Sequence, residues 1–414
     1  MLPKATFHFS KDFFWGASYP LYLTPHQIVN NNWENWVNIS PLQTTIQKPL
    51  GTGWKEDFEK GKSLGLNTIL LTIDWSLVQP LQNQWNEYIV ETYRKMVINL
   101  QEKKIQPIII LQHFSEPIWF FEQGGWNNKV AITYYLEYVK KMVSALKEHC
   151  SYWITFFEPN QYILNAHLYK KYPPGSGSIS SAGKVYKNIR MAHNEAYKII
   201  HQIQLESNVT LSPNFQNYFP ARHRNLLDKL ISSVFNSFYN HLFSFNNNQK
   251  NIFSKISPLK NNKPLFDFML ASFYGDQEIK ASFNKPMQTL NLQTAKGLKK
   301  LLTWALSFKK PVYILSSNLN PHDATYLLTC LHTIWKTANI NPHMRGFLYH
   351  SLVDGFEWDK YFDLPTGLFN KNTSQSQHPK RITNDVYKNI LQNNSISYEL
   401  VKTTNPHLIN KLFP

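Results

Sequence analysis

The stretch that decides the fold lies between residues 105 and 160. It opens with "IQPIIILQH" (105–113), passes through "VAITYYLEYVKKMVSALKEH" (130–149) and closes with "YWITFFEPN" (152–160). The outer pieces are short, nearly continuous apolar runs, the pattern of parallel strands covered on both faces. The middle piece has another period. Leu136, Val139, Val143 and Leu146 share one helical face, and Asn128 is placed to cap the helix start. The unit is strand, helix, strand.

The unit recurs along the chain. Similar apolar runs are "FFWGAS" (13–18), "NTILLTID" (67–74), "NVTLSPN" (208–214), "FDFMLASFY" (266–274), "PVYILSS" (311–317) and "RGFLYHSL" (345–352), which makes eight with the two above. Helix-period segments lie between most of them. In "NEYIVETYRKMVINLQEKK" (86–104), Ile89, Tyr93, Met96, Val97 and Leu100 fall on one face, and further helices are predicted near 185–204, 224–244, 293–308, 322–337 and 382–392. Eight strands alternating with helices predict an α/β fold, a (β/α)8 TIM barrel forming a single domain, rather than an open doubly wound sheet. No G-x-G-x-x-G follows a strand, so no dinucleotide site supports the open sheet. Residues 1–395 are assigned to the barrel and 396–414 to a C-terminal extension; the Asn- and Lys-rich stretch 246–263 reads as a surface loop.

Composition narrows the functional classes. The formal charge is +16, but the lysines come as scattered pairs with no basic run and no nucleic-acid module, so a solvated basic surface is expected and no nucleic-acid partner. The 15% aromatic content fits a bulky core or a sugar-stacking surface and does not choose between them. Two cysteines, Cys150 and Cys330, make neither a disulfide framework nor a metal motif and suit a reducing compartment. No metal and no cofactor is expected. No signal peptide is read in the first residues and no 18-residue apolar run suggests a membrane span, so a cytoplasmic location is expected.

A barrel carries its chemistry at the C-terminal ends of its strands. Those ends supply His113, Glu158, Tyr274, Ser316 and, after the last strand, Glu357 and Trp358. Glu158 follows two phenylalanines and precedes a proline, neighbours that make a carboxyl hard to ionise. For each of these groups, hydrogen-bonded packing is the plainer alternative to a site role.

The same residues carry a family resemblance. "WITFFEPN" (153–160) resembles the W-I-T-F-N-E-P-N motif of family 1 glycoside hydrolases, the β-glucosidase family. "FFWGASYPLY" (13–22) resembles the opening strand, and "WKEDFEKGKSLGLNTILLTIDWSLVQP" (54–80) the first helix and second strand. "LQHFSEP" (111–117) with "GGW" (124–126), "RGFLYHSLVDGFEW" (345–358) and "HPKRITNDVYKNIL" (378–391) follow in family order, covering roughly residues 7–395. The resemblance implies a (β/α)8 barrel that cleaves β-glycosides with retention, using two carboxyl groups about 5–5.5 Å apart.

Glu158 matches the general acid/base. The nucleophile belongs to a Y-I-T-E-N-G motif that reads "VYILSSNLN" (312–320) here, so its position is Ser316. A serine hydroxyl without a visible base is a poor replacement. Other positions depart in company: the arginine that pairs with the nucleophile is Leu70, the asparagine before the acid/base is Phe157, and the first-strand glutamine is Leu23. The strand-8 tryptophan is His350, the strand-6 asparagine is Ser272, and Asn291 aligns loosely with the tryptophan beside the leaving-group site. His113, Tyr274, Glu357 and Trp358 match the sugar-binding set, and His350 is taken as substrate-binding with them. Members that take 6-phosphorylated sugars alter the Glu-Trp pair, so a neutral β-glycoside is the implied ligand.

The expectation is therefore a family 1 β-glycosidase-like protein with a remnant sugar pocket. Ordinary retaining hydrolysis is expected to be absent or very weak, and the pocket to bind a glycan or a protein partner. The alternative is a glycoside hydrolase or transglycosylase of altered mechanism. There Asp74 or Glu116 stands in for the nucleophile, or an external anion fills the space beside Ser316.

Overall fold

Each of the eight apolar runs forms a strand: β1 (Phe14–Tyr19), β2 (Thr68–Thr72), β3 (Gln106–Ile110), β4 (Tyr152–Phe157), β5 (Asn208–Ser212), β6 (Met269–Ser272), β7 (Val312–Ser316) and β8 (Met344–Tyr349). They lie in the order β5-β4-β3-β2-β1-β8-β7-β6 and pair in parallel. The two ends of that row also meet. Asp267 N–H donates to the Val209 carbonyl at 2.9 Å and Phe215 N–H to the Ser272 carbonyl at 2.8 Å. The sheet thus closes into a barrel. The computed structural model describes residues 5–22, 30–34, 36–37, 53–240, 265–281, 288–317, 319–361, 363–370 and 381–414.

One long helix follows each strand: α1 (Trp54–Leu64), α2 (Glu87–Glu102), α3 (Ala131–Leu146), α4 (Ile179–Ile203), α5 (Leu226–Asn240), α6 (Leu298–Leu306), α7 (Thr325–Ala338) and α8 (Ile382–Asn393). The strands are apolar on both faces because each face meets a different layer. Leu70, Ile108, Ile110, Ile154, Leu315 and Leu348 fill the barrel interior. Their neighbours Ile69, Leu71, Ile109, Trp153, Ile314 and Phe347 pack outward under the helices. Burying each such side chain is worth about 1.5–3 kcal/mol, so both layers hold the barrel. Asn128 accepts the Val130 amide at 3.2 Å, just ahead of α3.

A small sheet of Asn217–Pro220, Asp276–Lys280 and Gln288–Leu292 stands beside the barrel and was not foreseen. Its strands are too short and too polar to show an apolar run. At the chain ends, Thr6–His8 pairs antiparallel with Ser395–Ser397. Leu408 and Leu412 are buried in the outer core, and Phe413 stacks on Phe7 at 4.4 Å. Residues 396–414 therefore pack against the barrel, and a strand crosses the boundary drawn at 395. The loop read at 246–263 and Leu23 lie outside the described residues. Both cysteines are free and buried. Among the described residues no helix is long and apolar enough to cross a membrane, and no His, Cys, Asp and Glu cluster could hold a metal.

Candidate active site at the barrel mouth

The end of β4 explains how Glu158 reaches the mouth. Ile154 faces the interior, and Thr155 and Phe156 both face outward, Thr155 against His193 of α4 and Phe156 against Trp126. The pairing register with β5 shifts between Ile154 and Phe157. This irregularity returns Phe157 to the interior and re-aims the strand end. Glu158 then adopts a left-handed backbone, φ 50° and ψ 43°, and Pro159 starts the helix Pro159–His167. A non-glycine residue in that conformation costs about 1–2 kcal/mol, which the surrounding packing offsets.

Glu158 is 3% exposed. Its Oε1 accepts from Asn214 Nδ2 at 3.2 Å and from the Ser272 hydroxyl. Burial raises its pKa. Hydrogen bonds from Ser272, Asn214 and Tyr274 and the nearby His350 oppose that rise without cancelling it. The donors are themselves fixed: Asn214 Oδ1 accepts from Tyr239, and Asn160 brackets the Asn214 backbone on both sides. The result is a carboxyl that holds its proton beyond the usual range, ringed by groups that tolerate its ionised form. That is what a general acid that later acts as base requires.

Tyr274 links this cluster to the β8 end, its ring meeting that of His350 edge-on at 5.9 Å. Nε2 of His350 donates to Glu357 Oε1 and Oε2 at 3.0 and 3.2 Å, while its Nδ1 lies 2.8 Å from Ser18 Oγ. Burial disfavours charge on this ring, but the charge of Glu357, their hydrogen bond and the charge of Glu158 outweigh it and raise its pKa. His113 behaves in the opposite way. Burial first, and then the charge of His350, hold its pKa well below the usual value. Its Nε2 accepts from the Trp358 indole N–H at 3.1 Å, which requires a neutral ring with its lone pair there. Trp358 is itself set in an aromatic wall of Trp33, Phe114 and Phe356, at 4.7–5.2 Å between ring centres.

His113, Glu158, Tyr274, His350, Glu357 and Trp358 thus come together. Ser316 does not join them. Tyr313 and Leu315 point into the barrel, so the next residue points out. The Ser316 hydroxyl donates to the Phe273 carbonyl at 2.5 Å and lies 3.0 Å from the hydroxyl of Tyr326 on α7. On the inner face, Leu70, Phe157 and Leu315 belong to one hydrocarbon cluster. Asn291 is exposed on the small sheet.

Both candidate substitute carboxylates are buried and have hydrogen-bond partners elsewhere. Asp74 caps the helix Trp75–Val78, accepting from Ser76 N–H at 3.0 Å and Ser76 Oγ at 2.7 Å, and burial lifts its pKa to about 6. Glu116 is 1% exposed and accepts from the Tyr162 hydroxyl; burial raises its pKa to about 8 against hydrogen bonds from Tyr162 and Trp126. Sequence reasoning missed Asn214, Ser18 and Thr366, which hold Glu158, His350 and Glu357 in place. Only Asn214 left a signal, as the polar end of the β5 run.

A buried carboxyl set among amide, hydroxyl, imidazole and indole groups lies where a closed (β/α)8 barrel carries its ligand site. Comparison with known proteins agrees. The model of the family "Glycosyl hydrolase family 1" matches residues 51–257, half of the chain, and the chain belongs to that family. It is 22% identical to a 1,4-beta-D-glucan glucohydrolase of Thermotoga neapolitana, over 83% of this chain and 87% of that one. In fold it is similar to a beta-glycosidase from Pyrococcus horikoshii, with TM-score 0.82, 22% identity and coverage of 97% and 98% of the two chains. It is also similar to the family 1 b-glucosidase from Thermotoga maritima in complex with isofagomine lactam, with TM-score 0.80, 19% identity and coverage of 95% and 100%.

Proposed function

We propose that this protein keeps the sugar pocket of its family but not an effective retaining mechanism, and that it acts by binding a neutral β-glycoside or a glycan-bearing protein. Hydrolysis by the two-carboxylate route is then absent or very weak. The observation that carries this reading is the state of the β7 end. The Ser316 hydroxyl is spent on the Phe273 carbonyl, and Leu70, Phe157 and Leu315 occupy the inner face with hydrocarbon. Glu357, the other carboxylate of the group, is held by His350 and by Thr366 Oγ1 at 2.7 Å. Phe157 offers no hydrogen bond to a sugar 2-hydroxyl, a contact that strengthens in the transition state and supplies several kcal/mol. The free, buried thiols of Cys150 and Cys330 support a cytoplasmic setting.

The test is a panel of aryl β-glucosides and β-galactosides, with and without azide or formate, run beside a calorimetric binding titration of the same sugars. Binding without turnover is expected. Turnover at ordinary family rates would remove the impaired mechanism from consideration, and turnover that appears only with the added anion would favour an altered mechanism assisted by Glu158. No response to any sugar would remove the pocket itself.

A further inference from the structure

The glycan reading gives no role to the hydrogen bond that joins Ser18 to the His350–Glu357 pair. Ser18 lies on β1 in register with Leu70, which faces the barrel interior, while its neighbours Ala17 and Tyr19 pack outward. Its side chain therefore points to the floor of the mouth, and the residue is 6% exposed. Ser18 Oγ lies 2.8 Å from His350 Nδ1. Across the ring, Nε2 meets Glu357 Oε1 at 3.0 Å and Oε2 at 3.2 Å, and Thr366 Oγ1 holds that Oε1 at 2.7 Å. The carboxylate fixes the tautomer. With the proton on Nε2, a neutral ring presents its lone pair at Nδ1 to the serine hydroxyl.

A hydroxyl, an imidazole and a carboxylate in series are the parts that turn serine into a nucleophile, and they are recognised by geometry and role rather than by order in the chain. We propose that Ser18, His350 and Glu357 form a nucleophile, base and positioning relay for acyl transfer, acting on small uncharged carboxylic esters. Among the described groups that face His350 there is no lysine or arginine to hold an anionic substrate, and this sets the substrate class. The wall supplied by Phe157 and Trp358 is aromatic.

In the first step Ser18 Oγ bonds to the ester carbonyl carbon and its proton passes to His350 Nδ1. The bond to the alcohol oxygen then breaks, and the alcohol leaves with that proton. Water gives a proton to the same nitrogen and attacks the acyl-serine. The bond to Oγ breaks, the carboxylic acid departs, and Ser18 regains its hydrogen. Tyr274 meets His350 edge-on, but its hydroxyl is committed to Glu158 and no oxyanion role is assigned to it. The charged and titratable groups that face His350 are Glu357, Glu158, His113 and Tyr274. The two carboxyl groups favour the imidazolium, which is the inactive form, so the rate should climb as pH rises above the ordinary imidazole range.

The experiment treats the full-length folded protein with a fluorophosphonate, in which an Oγ–P bond forms and fluoride leaves, and locates the adduct by peptide mass mapping. Hydrolysis of p-nitrophenyl acetate is followed in parallel. The expected result is one adduct, at Ser18, formed only by the folded protein and faster at higher pH. Ser18→Ala should give none. His350→Gln should label about a hundredfold more slowly, and Glu357→Gln should move the pH midpoint downward, a change that a purely structural role would not produce. An unlabelled Ser18, an adduct that heat-unfolded protein forms equally well, or a His350→Gln variant that melts normally and labels at the original rate would each overturn the proposal. If a variant does not fold, the comparison of native with unfolded wild type still decides. Labelling needs no sugar, so its outcome is read separately from the glycan reading.

Discussion

The two sides of the barrel mouth are made of the same kind of strand and have opposite interiors. On the β4–β6 side a buried carboxyl is surrounded by donors from Ser272, Asn214 and Tyr274. On the β2–β7 side the inner face is Leu70 and Leu315, joined by Phe157 reaching across from β4. The difference teaches a rule about buried charge. A carboxyl can be kept inside when every lone pair has a partner, and hydrocarbon can be kept inside without partners. A lone ion with neither arrangement costs about 3–5 kcal/mol. Each side has settled in one of the two stable conditions, so a single substitution cannot convert one into the other.

The strongest way to break this comparison is to place charge on the apolar side. Leu70→Arg is expected to destabilise the protein by about 3–5 kcal/mol, a large share of a typical total. Ser316→Glu should not relieve it. Leu70 faces the interior, whereas the Ser316 side chain lies against Phe273 and Tyr326 on the helix side. The double variant should show a coupling within about 0.5 kcal/mol of additivity in urea unfolding, and aryl β-glycoside turnover should stay at the level of the parent. A coupling above about 2 kcal/mol, together with recovered turnover, would mean that the two positions face each other after all.

A carboxyl that is buried but off the mouth supplies the next test. Glu116 has a pKa of about 8 in the folded chain against 4.5 ordinarily, because burial disfavours its charge. Its contribution to stability is complete below the unfolded value and is lost as pH rises toward 8. Glu116→Gln removes the group that ionises, so the variant should lose less stability than the parent between pH 5 and pH 8.5, by a few kcal/mol. Urea midpoints at the two pH values measure this. Equal slopes for both proteins would show that Glu116 is ionised in the fold, and that burial alone does not set the chemistry of carboxyl groups in this barrel.

The comparison also marks what the sequence could convey. The eight strands were legible because strands covered on both faces need unbroken apolar runs, and "IQPIIILQH" admits little else. The strand Asp276–Lys280 was not, because its sequence "DQEIK" owes its pairing to Asn217–Pro220 and Gln288–Leu292 rather than to its own pattern. Glu158 stood out through its apolar neighbours and the motif around it. The facing of Ser316 was written in the alternation of Tyr313 and Leu315 against Ile314, but a motif aligned by letter carries no direction. Ser18 and Thr366 left no trace, since a hydroxyl becomes significant only when the fold brings it to His350 and Glu357.

On the polar side, a smaller effect is expected from thinning the donor shell. Ser272→Ala removes the hydroxyl bonded to Glu158 and leaves Asn214 and Tyr274. A hydrogen bond to a charged group is worth about 1.5–3 kcal/mol, and it acts only on the ionised form, so the pKa of Glu158 should move further up. Infrared detection of the protonated carboxyl during a pH titration follows this directly, with Glu158→Gln as the blank. A pKa that stays in place would show that Ser272 donates equally to the protonated and ionised forms.

The smallest effect separates the two sides most sharply. Ser316→Ala deletes the bonds to the Phe273 carbonyl and the Tyr326 hydroxyl, at a cost of about 1 kcal/mol. Because those partners lie on the helix side of β7, sugar binding at the mouth should be unchanged while the urea midpoint falls slightly. The parallel change at Ser18 lies on the inner face beside His350 and should alter the mouth and leave the α7 contact untouched. If Ser316→Ala instead weakens sugar binding by about tenfold, equivalent to 1.4 kcal/mol, its hydroxyl turns inward when ligand is bound. The division between a polar and a hydrocarbon side would then belong to the empty pocket alone.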